Sequence, residues 1–103
     1  MYIKIIHPFS VRLRKEEVLD LKKEGIYSLS TMRNKRDNNS RFLVIIDEYT
    51  KKQYVSDEYL AEECYSLEHL LFYSSYSHNS YFRDMFREVP LVVIEIMKER
   101  GEI

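Results

Sequence analysis

Three histidines, one cysteine and a pair of adjacent carboxylates are the residues through which this chain could do bond chemistry. His7 precedes Pro8, His69 lies in an acidic stretch and His78 in a serine-rich one. No two of the histidines share an i, i+4 spacing. Cys64 and His69 stand five positions apart, about 140° around a helix, so no metal site is expected. Cys64 could act as a nucleophile with His69 or His78 as base. It falls, however, on an apolar stripe with Leu60 and Leu67, where a cysteine behaves as a small hydrophobe. Asp47 and Glu48 end an apolar run and are expected at a solvated strand end. Neighbours on a strand point to opposite faces, so the two do not form an acid–base pair. No glycine-rich phosphate loop, nucleophile elbow or H-E-x-x-H helix occurs. The reading is a non-catalytic chain, with no cofactor.

Binding is the alternative to catalysis, and the charge pattern suggests where. The 103 residues carry 16 Lys and Arg against 17 Asp and Glu, a net charge of −1. Bulk attraction to nucleic acid or to an anionic membrane is therefore not expected. The charges are segregated, though. Between Arg33 and Lys52, six basic residues face three acidic ones, whereas Asp57–Tyr73 holds five acidic residues and no Lys or Arg. Arg33, Lys35, Arg36 and Arg41 are candidates for contact with the phosphates of DNA or RNA. The same basic loop would also serve as solvated charge guarding a strand edge. The acidic stretch would repel nucleic acid, meet a basic partner or simply face solvent.

Nine tyrosines, five phenylalanines and no tryptophan give the chain a second feature. Phe72, Tyr73, Tyr76, Tyr81 and Phe82 cluster around Ser74–Ser80. Aromatic rings with a polar tip suit interfaces and base stacking, so this cluster is the candidate subunit or partner interface. RNA-binding plaits carry a glycine and several aromatics on their third strand. Here Ser40–Asp47 matches that pattern only at Arg41 and Phe42.

The elements that would position these residues follow from hydrophobic period. Tyr2–Ile6 reads as a strand ended by Pro8. Lys15–Glu24 reads as a helix with a stripe of Val18, Leu19 and Leu21, capped by Gly25. Ile26–Met32 alternates and suits an edge strand. Arg33–Ser40 is a polar loop. Phe42–Ile46 is continuously apolar, as in a strand covered on both faces. Tyr49–Lys52 is a turn and Gln53–Val55 a short hairpin arm. Ser56 would cap a long helix whose face is Leu60, Cys64, Leu67 and Leu71. Ser80 would cap a second short helix with face Phe82, Met85, Phe86 and Val89. The β-branched run in Leu91–Met97 reads as a strand. Pro90, Lys98, Arg100 and Gly101 would also suit a helix there.

The order β-α-β-β-α-β predicts a single α+β domain over residues 1–103. It would be a two-layer sandwich of the ferredoxin-like plait type, with an extra short helix before the last strand. A last strand so apolar would need a cover, and a second copy of the chain is the expected one. The Tyr, Ile and Lys content resembles that of small accessory proteins of viruses and mobile elements. A single cysteine, no leader-like start and no long apolar run point to the cytoplasm, of the host cell if the chain is viral. The function expected is that of a small homodimeric interaction protein without membrane contact, with a nucleic-acid-binding regulator as the alternative.

Overall fold

The computed structural model describes residues 1–76 and 80–103, with every side chain among them except that of Glu63. The chain folds mainly as antiparallel sheet, not as the expected plait. In chain order the strands are β1 (Tyr2–Ile5), β2 (Phe9–Arg12), β3 (Val18–Leu21), β4 (Ile26–Asn34), β5 (Asp37–Asp47), β6 (Gln53–Val55), β7 (Tyr59–Leu60) and β8 (Phe86–Val89). Two helices, α1 (Leu67–Ser74) and α2 (Leu91–Glu99), complete the described residues, with single 3-10 turns at Arg14–Glu16, Ala61–Glu63 and Phe82–Met85. The main sheet runs β6-β5-β4-β1-β8, and β7 lies beyond β6 along the same edge of β5. β2 and β3 form a separate two-stranded ribbon. Among the described residues no helix is long and apolar enough to cross a membrane.

Both faces of the sheet are covered, by different parts of the chain. On one face Ile3, Ile5, Tyr27, Leu29, Leu43, Ile45 and Phe86 pack with Phe9, Val11 and Leu21 of the ribbon and Leu70 and Leu71 of α1. On the other, Ile26 and Val89 pack beneath Ile94 of α2, flanked by Tyr2, Met97 and Ile103. β8 is the outer strand at one end of the sheet and exposes Arg87 and Glu88.

Several sequence expectations are overturned. Lys15–Glu24 is a turn and a strand: Lys15 and Glu16 take left-handed φ of 57° and 61°, which a continuous right-handed α-helix does not accommodate. Leu19 and Leu21 then point into the ribbon's inner face opposite Val11 and Phe9. Gly25 is needed for closeness rather than as a helix cap. A Cβ there would stand 2.7 Å from the Tyr27 ring and 2.9 Å from the Lys22 carbonyl oxygen. The long acidic helix does not form: Tyr59–Leu60 pairs with Ser40–Arg41, and the helix begins only at Ser66. Phe86–Val89 is a strand rather than a helix face, since it pairs with all of β1. Leu91–Met97 is a helix, started by Pro90 and ended before Gly101, whose φ of +71° suits a glycine. The apolar last strand that called for a second copy is therefore absent.

Candidate nucleic-acid interface

Arg33, Lys35, Arg36 and Arg41 belong to one structure, and it is a hairpin rather than a loop. β4 and β5 stay paired from Tyr27↔Asp47 out to Asn34↔Asp37, with a register shift between Arg33 and Asn34. Lys35 and Arg36 form the two-residue turn. Such a turn needs its backbone amides satisfied locally, and short polar side chains do it. The amide of Arg36 donates to Asn34 Oδ1 at 3.0 Å, and that of Asn39 to Asp37 Oδ1 at 2.9 Å. The Ser40 hydroxyl donates to Asp37 Oδ2 at 3.0 Å. Asn34 Nδ2 donates to Glu58 Oε1 at 2.6 Å. That bond is the main cause that holds the Glu58 carboxyl below its ordinary pKa.

Arg33 and Arg41 stand directly opposite one another across the two strands, on one face of the sheet. Like charges in that relation repel. The sheet holds another such pair, Lys4 opposite Arg87. There a carboxylate intervenes: Glu24 Oε2 lies 2.9 Å from Lys4 Nζ. That contact, with Arg87 and Lys23 also near, keeps the Glu24 carboxyl below its usual pKa. Among the described residues no carboxylate makes an ion pair with Arg33 or Arg41. The Arg41 Nε is also buried without a hydrogen-bond partner. A buried guanidinium N–H with no acceptor is a disfavoured arrangement that an anion would relieve.

Arg41 opens into a pocket of about 190 Å³ between the hairpin and the start of α1. Thr31, Tyr65, Ser66 and the buried Tyr59 line it together with Leu67 and Leu70. Burial raises the pKa of the Tyr59 hydroxyl, helped by Cys64 and opposed by Arg41. α1 starts here because the Ser66 hydroxyl accepts the His69 amide at 3.1 Å. Ser56, expected to do this, instead accepts the Leu43 amide at 2.9 Å and donates to the Asp57 carbonyl. Tyr65 is 90% exposed and stacks on His69, ring centroids 6.1 Å apart and planes 5° from parallel. Nearby, the Arg14 guanidinium lies 4.3 Å over the Phe42 ring. Sequence reasoning passed over Tyr65 as a residue of an acidic helix. Ser66 followed by Glu68 is the start signal that would have placed it at a helix entry instead.

The aromatic cluster divides. Phe82 is buried, its ring edge-on to those of Phe9, Phe72 and Phe86 at 5.3, 5.1 and 5.1 Å, so Phe72 and Phe82 are core packing. Tyr73, Tyr76 and Tyr81 are exposed, and Arg12 lies 4.8 Å over the Tyr76 ring. A groove of about 450 Å³ runs past Phe72 and Phe82, with Glu68, His69 and Arg83 on its walls.

The candidate chemical residues do not converge. His7 is exposed after β1, and His78 lies outside the described residues. Cys64 packs against the main core. Asp47 Oδ1 accepts the Tyr49 and Thr50 amides and shapes the turn. Glu48, expected in solvent, is buried and takes Lys51 Nζ at 3.0 Å. No protein-family model, curated protein or solved structure matches this chain.

Proposed function

We propose that the protein is a non-catalytic binding module that grips the phosphate backbone of nucleic acid with its basic hairpin. The observation that carries this reading is the Arg33–Arg41 pair, opposed across two strands and, among the described residues, without an ion pair such as Glu24 makes with Lys4. Lys35 and Arg36 extend the same charge to the exposed turn. Phosphate oxygens supply what the pair lacks, and each contact releases counterions. Binding to a labelled oligonucleotide is expected at low salt and to weaken as salt rises. Arg33→Ala or Arg41→Ala should flatten the log–log salt dependence by about 1 each. No binding of either DNA or RNA at low salt, measured by fluorescence anisotropy, rejects the proposal. The cytoplasm is the compartment such a role calls for.

A second reading, association with another protein or another copy of the chain, is favoured by α2. This helix buries Ile94 but leaves Leu91, Val92, Val93 and Ile96 between 40% and 60% exposed. Apolar side chains grouped on one helix mark an association surface. Sedimentation at tens of micromolar tests it, and a strict monomer that captures no partner removes it.

A further inference from the structure

We infer that the pocket between the hairpin and α1 holds one nucleotide of a single strand, with its phosphate on Arg41 and Arg33 and its base on Tyr65. The inference rests on the hairpin's binding nucleic acid, and it names the form of nucleic acid bound.

Three features of the pocket point the same way. Its polar end is a guanidinium whose Nε is buried without an acceptor, next to a second arginine held opposite it by strand register. Its outer end is an aromatic ring that the fold leaves almost wholly in water. A tyrosine exposed to that degree gains nothing from the core. Its ring lies parallel to that of His69, four residues on, with centroids 6.1 Å apart, and its exposure leaves ring surface open to a base. Ring faces are sequence-tolerant stacking platforms for bases, and basic side chains beside them track the backbone. A cavity of about 150 Å³ takes benzene; this one, of about 190 Å³, holds a ring-sized part of one nucleotide and leaves the remainder outside it.

The chemistry selects against duplex. Bases in a duplex are already stacked and their faces covered, so only an unpaired base can lie on Tyr65. A duplex can still offer phosphates to Arg33, Lys35 and Arg36, but it forgoes the stack. The phenol, with no formal charge, adds nothing to backbone attraction. The stacking term is therefore separable from the charge term.

The test compares three labelled probes of equal length: a mixed-sequence single strand, the corresponding duplex, and a single strand lacking bases throughout. The single strand should bind about 10-fold tighter than either of the others, the effect of roughly one base stacked on an aromatic ring. Tyr65→Ala should abolish that difference and leave duplex and base-free binding unchanged, while Tyr65→Phe, which keeps the ring, should retain it. Arg41→Met should weaken all three probes. Tyr65 is too exposed for its removal to unfold the chain, and circular dichroism checks this. Equal binding of all three probes, or a preference for the single strand that survives Tyr65→Ala, overturns the inference while leaving hairpin binding standing. Failure of all three probes to bind overturns both.

Discussion

The two ends of the β4–β5 hairpin are built on opposite principles. At its base, Tyr27, Leu29, Leu43 and Ile45 are buried under the ribbon and α1, and Ile26 under α2. At its tip, residues 30–33 and 35–39 are exposed, and the strands are held by ladder hydrogen bonds and short polar ties. The base carries the fold. Among the described residues the tip's arginines make no ion pair, and the tip contributes little burial. One continuous pair of strands thus separates stability from recognition along its length.

Cutting the base should show the separation most strongly. Ile45→Ala removes a fully buried side chain facing Leu29 and should cost about 2–5 kcal/mol in chemical denaturation. The folded fraction should bind oligonucleotide as before. The next effect concerns the seam between base and edge. Ser56→Ala leaves the buried Leu43 amide without its acceptor, at a cost of about 1–3 kcal/mol. Arg33→Ala, at the tip, reverses the pattern. It relieves a like-charge contact, so stability should hold or rise by less than about 1 kcal/mol, while nucleic-acid affinity falls. A large loss of stability would mean that the tip is structural after all. The smallest effect is acid sensitivity. Glu58, bonded by Asn34, and Glu24, bonded by Lys4, both have folded pKa values below their ordinary 4.5. Their contribution is therefore complete above 4.5 and lost as pH falls through the lower folded values. The thermal midpoint should drop slightly in that range at low salt. Glu58→Gln should remove part of that pH dependence.

Several local signals in the sequence hold in the structure. Tyr2–Ile6, the doubly covered Phe42–Ile46 run, the turn at Tyr49–Lys52 and the arm at Gln53–Val55 all fall where period and turn residues place them. Two failures are local, the left-handed turn at Lys15 and Glu16 and the helix that Pro90 and Gly101 bound; others come where distant chain decides. Ile26–Met32 reads as an edge strand because its serines look exposed. It is interior because β1 and β5 flank it and α2, some sixty residues later, covers Ile26. The Leu60, Cys64, Leu67, Leu71 spacing suits a helix, yet Tyr59 and Leu60 find a partner in β5. The basic residues of the candidate site were legible as a charge cluster. Their opposition was not, since strand register is not written in composition. The Tyr65 platform was hidden by misplacing the start of α1.

The outer strand β8 bears on how copies of this chain meet. A two-fold axis joining two antiparallel edges sets a residue against its own image, so a β8–β8 seam centres on Arg87 facing Arg87 or Glu88 facing Glu88. Either arrangement is electrostatically self-repelling. This rim of the sheet, which among the described residues pairs with no further strand, thus discourages its own replication into a longer sheet, and a guest strand docking there would need a charge order that differs from the host's.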